Sequence, residues 1–315
     1  MEIKFTGAGK IQRITIPDDK VFRGDMDLSY MELTELPDLS DVTVTGNFDC
    51  SANALTSLKG APKSVGGNFD CSDNCLASLA GVPQTVGGDF LCSSNPLTTL
   101  AGMPQTVWGY FCCSSNQLTT LAGAPKSVGK HFDCSGNLLT TLAGAPQTVG
   151  GHFICCWNQL TTLTGGPQTV GGNFDCKVNQ LTSLDGAPQT VGGNFDCKVN
   201  KLISLEGAPK KVGGDFDCRY NQLTLLLGAP QTVGGNFDCR YNQLISLLGA
   251  PQAVGGDFDC RDNRLVGLPE EICGNFICDN QRLVREYEKI KQMRLGIKQK
   301  GFLIRLFGRL KQNMK

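Results

Sequence analysis

The sequence predicts a mainly β solenoid, an elongated array of short coils stacked on one another. The pattern Val-Gly-Gly-x-Phe-x-Cys-x-x-Asn-x-Leu-x-x-Leu-x-Gly-x-Pro-x-x returns every 21 residues from Val44 to about Ile272. Two columns mark it without insertion or deletion, a cysteine column from Cys50 to Cys260 and an asparagine column from Asn53 to Asn263. A fixed period of this length indicates one short unit per coil, which buries its apolar side only against its neighbours.

Each coil is predicted to hold one short strand. In the coil that begins at Val170, apolar Phe174 and Cys176 alternate with polar residues, which is typical of a strand with one buried face. Leu181 and Leu184 then return over the same core. The following Gly-Ala-Pro segment favours extended or turn structure, because proline has no amide donor and restricts the residue before it. We therefore expect strand, turn and extended return, with the coils stacked into a parallel sheet along one face.

The recurring asparagine and glycine residues have mechanical explanations. A side-chain amide both donates and accepts, so an asparagine column can satisfy the backbone groups of successive buried turns. The Gly171-Gly172 pair and its equivalents indicate a tight bend or a close approach of neighbouring coils. They do not form a phosphate-binding loop, because no helix and no Lys-Ser or Lys-Thr pair follows them.

The sixteen cysteines follow the coil and not a disulfide framework. Disulfide frameworks belong to small secreted domains with irregular spacing. We expect free thiols that act as small buried hydrophobes. A stacked column offers no tetrahedral cluster for zinc, and the adjacent pairs Cys112-Cys113 and Cys155-Cys156 lack the spacing of zinc ligands.

The segment Phe-x-Cys-x-x-Asn-x-Leu-Thr-x-Leu resembles the leucine-rich repeat consensus Leu-x-Leu-x-x-Asn-x-Leu, with Phe and Cys in leucine places. The resemblance covers nearly the whole chain. It is closest to the short, helix-free repeats of bacterial effector proteins and especially to repeat proteins of large tailed bacteriophages. The bacteriophage proteins have similar Gly-Ala-Pro and Val-Gly-Gly segments. The resemblance implies a leucine-rich repeat array with its parallel sheet on the concave face. The extra residue supplied by the Gly-Gly pair affects the expected curvature and not the fold.

The array is predicted to have distinct ends. Residues 1–22, with the alternating Lys10-Ile11-Gln12-Arg13-Ile14-Thr15-Ile16, form an N-terminal β cap that covers the open solenoid. Residues 23–283 form about 12 coils. The first is degenerate, with Leu28, Leu33 and Leu36 in the places of Cys50, Leu55 and Leu58, and the last, 273–280, is shortened. Residues 284–315 form a helical tail.

The charge is unevenly distributed along the chain. Val284 to Lys315 holds ten Lys or Arg against two Glu, which leaves 19 basic and 27 acidic residues before it. An acidic body therefore carries a basic tail. The N-terminus lacks the apolar stretch of a secretory signal, and no segment approaches the ~20 apolar residues that span a bilayer. We expect a soluble, cytoplasmic protein, or a virion protein if it is a phage structural component.

The tail predicts two amphipathic helices with basic polar faces. Apolar residues recur at helical spacing from Val284 to Ile297 and again after Gly301. The first helix is expected to cap the last coil. The second is a candidate anchor to a membrane, a nucleic acid or a protein, and these alternatives stay open. Its anchor residues are Phe302, Leu303, Arg305, Leu306, Phe307, Arg309 and Leu310.

Two outward-facing features are candidates for recognition. An aspartate column after the phenylalanines lies beside Lys177, Lys198, Arg219, Arg240 and Arg261, and the simplest interpretation is laterally paired charges on a solvated sheet. The middle coils depart from this column with aliphatic and aromatic residues, which predict a partner-binding patch. The alternative is that these residues fill local gaps. The patch comprises Leu91, Trp108, Tyr110, Cys112, His131, His152, Ile154 and Trp157.

No catalytic constellation or cofactor site is predicted. His131 and His152 share a column one coil apart, but no carboxylate or clear third ligand accompanies them. The aspartates form an open periodic column and not a paired acid and base, and the inward cysteines argue against catalysis by a thiol. We expect no metal, no cofactor and no small-molecule substrate.

The sequence therefore predicts a non-enzymatic protein-protein interaction module that binds a host or virion protein through its repeat sheet. The resemblance favours a phage-encoded protein. Two alternatives remain open, a structural virion or scaffold component anchored by its basic C-terminal helix, and a bacterial effector that targets a host protein.

Overall fold

A computed structural model describes residues 2–7, 10–266, 275–289 and 292–293, with side chains from residue 15 onward. Its main feature is a sheet of thirteen parallel strands, one from each coil, which we call the front sheet. Neighbouring strands pair in register, so that Phe174 lies between Phe153 and Phe195. The strands are Met26–Asp27, Phe48–Asp49, Phe69–Asp70, Phe90–Leu91, Phe111–Cys112, Phe132–Asp133, Phe153–Ile154, Phe174–Asp175, Phe195–Asp196, Phe216–Asp217, Phe237–Asp238, Asp257–Asp259 and Asn275–Ile277. The predicted parallel β-solenoid is confirmed.

A second set of short parallel strands, which we call the return sheet, forms on the segment before the glycine pair. It is divided into one sheet of four strands and one of eight. The sequence had predicted this segment only as an extended return. The four strands are Val21–Phe22, Thr43–Val44, Ser64–Val65 and Thr85–Val86, and the eight are Thr106–Val107, Ser127–Val128, Thr148–Val149, Thr169–Val170, Thr190–Val191, Lys211–Val212, Thr232–Val233 and Ala253–Val254.

The glycine pair explains why the return segments come close enough to pair. The amide of Gly171 donates to the carbonyl of Val149 at 3.0 Å, and the amide of Gly172 donates to Gly151 at 2.8 Å. A Cβ at Gly171 would lie 2.2 Å from the carbonyl oxygen of Gly150, which no side chain tolerates. Glycine is therefore required here by the spacing of the coils.

The core is a set of columns between the two sheets. The phenylalanines from Phe48 to Phe258 are fully buried, and their rings follow one another at centroid distances of 5.0–5.8 Å. Fully burying such a side chain contributes about 1.5–3 kcal/mol. The cysteine column is buried beside it with free thiols, as predicted. Several thiols donate to a carbonyl of the next coil, as Cys71 does to Leu91 at 3.4 Å.

The asparagine column closes each turn with hydrogen bonds. The Nδ2 group of Asn221 points at the carbonyl oxygens of Cys197, Cys218 and Arg219 at 3.1–3.2 Å. Its Oδ1 atom accepts from the amide of Leu202 in the preceding coil at 3.0 Å. The same arrangement recurs from Asn53 to Asn263, so the predicted role of the column as a backbone clamp is confirmed.

The described residues at the two ends form a hairpin and a helix. An antiparallel hairpin of Glu2–Gly7 and Lys10–Thr15 lies within the region predicted as the β cap. The first coil pairs Met26 with Phe48, which places Leu28 in the cysteine column. At the other end a helix spans 281–289 and so begins three residues before the predicted tail. Its Leu283 and Tyr287 are buried, and the Tyr287 ring lies 5.1 Å from that of Phe276, so this helix packs on the last coil.

We expect the exchange Asn221→Ala to destabilise the array by about 1–3 kcal/mol or more, because it leaves buried backbone groups without partners. Urea unfolding followed by circular dichroism measures the change. The neighbouring Gln222→Ala, on an exposed side chain, is the matched control and should have little effect. Equal effects of the two exchanges would contradict the clamp.

Candidate functional site

The structure separates the eight predicted patch residues into three places. Six follow the outward face of the front sheet, namely Leu91, Tyr110, Cys112, His131, His152 and Ile154, and we call them the front patch. Trp108 follows a return strand and lines a groove on that sheet. Trp157 lies in the turn after the front strand Phe153–Ile154, with a φ of 55°. The eight residues therefore do not form a single surface cluster around both tryptophans.

The aromatic members of the front patch form one row across three coils. The rings of Tyr110 and His131 meet edge to face at a centroid distance of 5.9 Å. His131 and His152 stack at 4.3 Å with an interplanar angle of 6°. The Tyr110 hydroxyl donates to the Asp133 carboxylate at 3.2 Å, and burial raises the pKa of Tyr110 well above its usual value. The row is thus a fixed, half-buried aromatic surface.

Both histidines replace an asparagine or aspartate in a second side-chain ladder. In most coils the side-chain oxygen before the phenylalanine accepts from the equivalent amide one coil later, as Asn173 does from Asn194 at 2.9 Å. The Nδ1 atoms of His131 and His152 make the same bond at 2.8 Å to the amides of His152 and Asn173. This bond requires an unprotonated Nδ1 atom, because a protonated one can only donate.

Tyr110 interrupts this ladder. Its own amide donates the ladder bond to the Asp89 carboxylate at 2.8 Å, but its hydroxyl donates to Asp133 and offers no acceptor to the amide of His131. The Tyr110 ring therefore takes the place of one side-chain acceptor of the ladder.

We expect the stability of the array to fall in acid through the histidine ladder. The pKa of His131 is lowered by burial and by the positive charge of His152 and Lys130, against a weaker opposing effect of Asp89. A lowered folded-state pKa means that the stabilisation is complete above the unfolded value of about 6.5 and is lost as the pH falls below it. Urea unfolding at about pH 7.5 and about pH 5.5 measures this loss.

The matched variant is His131→Asn, which keeps an acceptor of the kind that Asn173 supplies in the same ladder. It should show a smaller loss of stability between the two pH values than the wild-type chain. An unchanged pH dependence would show that His131 does not carry the effect.

The aliphatic members of the front patch are less exposed than the sequence indicated. Leu91 and Ile154 are half-buried, and Cys112 is buried with 7% of its surface exposed. The prediction that Cys112 projects as an exposed residue is therefore wrong. Its thiol contacts the Ser114 hydroxyl at 3.2 Å and lies beside Tyr110, and these neighbours cover it.

The two tryptophans are exposed, with 72% of Trp108 and 63% of Trp157 accessible. They do not fold back against neighbouring coils. Trp108 stands where the regular coils have the first glycine of the pair, and the return sheet is interrupted at this coil, between Thr85–Val86 and Thr106–Val107. Because a Cβ at the equivalent Gly129 would lie 2.1 Å from the carbonyl oxygen of the preceding coil, the Trp108 side chain forces the two coils apart on this side.

The groove beside Trp108 runs along the outside of the return sheet and has a volume of about 440 Å³. Its lining is mostly apolar and is made by threonine, serine, valine and glycine residues of the same coil and the next three, among them Thr106, Val128, Thr148, Val149 and Thr169. It faces away from the front patch, since the two sheets enclose the core between them.

We expect Trp108→Gly to close the interrupted return sheet. The amide of residue 108 would then donate to the Val86 carbonyl, as the amide of Gly87 donates to Val65 at 3.0 Å. Hydrogen exchange should slow at residues 105–109. The control Trp157→Ser removes an exposed tryptophan elsewhere and should leave exchange at 105–109 unchanged. Unaltered exchange in Trp108→Gly would show that Trp108 does not cause the break.

The predicted stripes of opposite charge form a paired ladder in the later coils. Arg219 binds the Asp217 carboxylate in its own coil through Nε at 2.9 Å and through a terminal nitrogen at 2.7 Å. It also lies 3.3 Å from Asp238 in the next coil. Lys198 and Arg240 bridge coils in the same way, at 3.5 and 3.4 Å. The lateral pairing predicted from the sequence is confirmed, so these charges largely neutralise one another.

The middle of the chain carries a feature that the sequence reasoning missed. Between Phe90 and Phe174 the charged residues are Lys126, Lys130 and Asp133, while serine, threonine, glutamine and asparagine supply most outward positions. We call this stretch the uncharged band. It was detectable from the spacing of charges alone. It encloses the front patch, so the apolar residues lie in a surface with few charged side chains.

A second missed feature is a set of exposed apolar side chains on the flank of the later coils. Tyr220 and Tyr241 stack at 4.4 Å in the turn after the front strand. Aliphatic side chains on the following segments are also exposed: Val199, Ile203, Leu227, Ile245, Leu248 and Val266. For Ile203, Ile245 and Val266 the signal was an aliphatic residue in a column that holds threonine in earlier coils, as at Thr140 and Thr161.

The predicted tail anchor, Phe302, Leu303, Arg305, Leu306, Phe307, Arg309 and Leu310, lies outside the described residues. Among the residues that the structure describes, no helix is long and apolar enough to cross a membrane. Within the same residues no group of three or more His, Cys, Asp or Glu side chains is placed to hold a metal ion.

Fold and ladders together define the class of the protein, a parallel β-solenoid of 21-residue coils whose repeats resemble leucine-rich repeats. The chain is similar to YopM from Yersinia enterocolitica WA-314, with 20% identity and a TM-score of 0.49, over 82% of this chain and 65% of that one. It thus spans slightly less than two thirds of that protein. It is also similar to YopM of Yersinia pestis, described as a leucine-rich effector protein, with 16% identity and a TM-score of 0.45, over 80% of this chain and 88% of that one. No protein-family model and no curated protein matches the chain.

Proposed function

We propose that the chain is a non-enzymatic protein-interaction module, which binds a protein partner through the front patch and the uncharged band around it. The observation that carries this proposal is the interruption of the charge column. Leu91, Cys112 and Ile154 occupy positions that hold aspartate in most other coils. Their in-register strands place them on the same face as Asp133 and Asp175.

The chemistry of the band supports a protein partner. The centres of protein interfaces are depleted of charged residues and enriched in aromatic ones, because desolvating an unpaired charge is costly. The band has few charges to desolvate, and the ring row of Tyr110, His131 and His152 is already held in place. Binding there would order few additional side chains. The matching partner surface is uncharged, with apolar and hydroxyl groups.

We expect the double variant Leu91→Asp, Ile154→Asp to abolish partner binding without unfolding the array. Aspartate is the regular residue at both positions, and as at Asp70 its carboxylate can accept the amide two residues later, here at 2.9 Å to Ser72. Crosslinking with mass spectrometry in the native source would identify the partner. Its affinity for wild-type and variant chains would then be measured by titration calorimetry, with a loss of at least about tenfold expected.

The matched control changes exposed apolar residues on the flank of the later coils, Tyr241→Ser and Ile245→Thr, and should bind normally. Full binding by the double variant would remove the front patch from the interface. Loss of binding only in the control would move the interface to the flank.

A structural role is the second candidate, and the basic tail on an acidic body favours it. In this alternative the rigid array is a spacer that the residues from Phe302 to Leu310 fix to a larger assembly. The resemblance of the repeats supports a phage-encoded protein, made in the cytoplasm or carried in the virion, with a bacterial effector as the remaining alternative. Fixed copy number in purified particles would support the virion role, whereas absence from particles would support the soluble binder.

A further inference from the structure

The end of the cysteine column differs from its interior. Phe258 pairs with Phe276, so Cys260 and Cys278 occupy equivalent places in the last two coils of the front sheet. Strand separation puts the Cα atoms of such residues about 4.8 Å apart, within the range of disulfides. Interior cysteines such as Cys197 stack between two further coils, which hold their spacing. In the described residues Cys278 is the last member of the column, and it has a coil on one side only.

These two cysteines also line a cavity. A cavity of about 420 Å³ at this end is bounded by both thiols and by Asn263, Arg264, Leu265, Asp279 and Asn280. Cys278 has 7% of its surface exposed and Cys260 has 1%, so the Cys278 sulfur is the more accessible of the two to a small molecule in this cavity. Arg264 gives it a positive charge and Asp279 a negative one, so it carries groups that can meet a zwitterionic ligand.

The surroundings of Cys278 favour its thiolate. The residue lies two positions before Asn280, which caps the helix 281–289 by accepting from the amides of Arg282 and Leu283 at 3.1 and 3.4 Å. The positive end of a helix dipole stabilises a nearby thiolate. The neighbouring Cys260 thiol and the Asn280 amide lower the pKa of Cys278 to about 7, against the effect of burial.

Cys260 has the complementary character. The neighbouring Cys278 and burial raise the pKa of the Cys260 thiol, whose proton is donated to the Ile277 carbonyl at 3.3 Å. Cys260 is therefore a protonated thiol next to the more acidic thiol of Cys278.

We propose that Cys278 and Cys260 form a redox-active dithiol, in which Cys278 is the attacking thiol, Cys260 is the resolving thiol, and a small-molecule disulfide such as glutathione disulfide is the oxidant. The Cys278 thiolate attacks one sulfur of glutathione disulfide. A mixed disulfide forms, the glutathione sulfur-sulfur bond breaks, and one glutathione leaves as its thiolate.

The second exchange completes the balance. Cys260 gives its proton to the departed thiolate, and its sulfur attacks the sulfur of Cys278. The second glutathione leaves as a thiolate that takes a proton from solvent. Two protein thiols are oxidised to one disulfide, and one glutathione disulfide is reduced to two glutathiones. The product joins the last two coils covalently beneath the helix 281–289.

The first test uses the reduced full-length chain and pulses of iodoacetamide across a pH series, with peptide mass spectrometry. Cys278 should react at half its maximal rate near pH 7, and column members such as Cys176 and Cys197 should stay unmodified. The exposed Cys75, which lies outside the column, is the internal reference. A Cys278 rate that still climbs with pH above about 8.5, as for an ordinary thiol, would overturn the assignment.

The second test exposes the same chain to glutathione disulfide. The wild-type chain should lose two thiols and yield a linked peptide pair that contains Cys260 and Cys278. Cys260→Ser should stop at one glutathione on Cys278, and Cys75→Ser should behave as wild type. A stable mixed disulfide on Cys278 in the wild-type chain would overturn the resolving role of Cys260. Because alkylation of the wild-type chain needs no variant, a folding defect in Cys260→Ser would not obscure the result.

Discussion

The hydrogen bonding between identical coils is the constraint on which the rest of the structure depends. Each coil must leave its backbone groups in register with those of the next, and the asparagine amides close the turns where strand pairing ends. The spacing that results stacks the phenylalanine rings and buries the cysteine column between them. It also favours glycine at the pair before the phenylalanine, since a Cβ at Gly171 would overlap the carbonyl oxygen of Gly150. Sequence regularity is thus a direct consequence of backbone spacing.

This stacking restricts which residues can occupy the inward positions, whereas the outward positions vary. In the later coils they form a ladder of ion pairs within and between coils, which satisfies each charge locally. In the middle coils the ladder stops and aromatic and aliphatic residues appear. Tyr110 replaces a ladder acceptor, and Trp108 interrupts the return sheet. At both positions a hydrogen bond between coils is absent and an aromatic side chain lies at the surface. Local departures from a regular pattern of this kind are expected at functional sites.

The ends of a solenoid are physically different from its interior because one face of the last coil has no following coil. At the C-terminal end the helix 281–289 packs on Phe276 through Tyr287 and places its N-terminus near the final cysteine. Cysteines of the same column therefore lie in two different environments. Burial raises the pKa of interior thiols such as Cys197, whereas Cys278 lies beside a cavity and near the N-terminus of the helix 281–289.

The sequence by itself determined the period, the parallel sheet, the inward columns and the pairing of opposite charges, because each follows from which residues recur at a fixed interval. It did not determine the return sheet, whose two-residue strands arise only when glycine lets neighbouring coils approach. Nor could it separate Trp108 from the front patch or show that Cys112 is covered, since position along a coil does not reveal which sheet a residue joins or how far its neighbours reach. Those properties were decided by tertiary structure, through the packing distance between coils and the lengths of adjacent side chains.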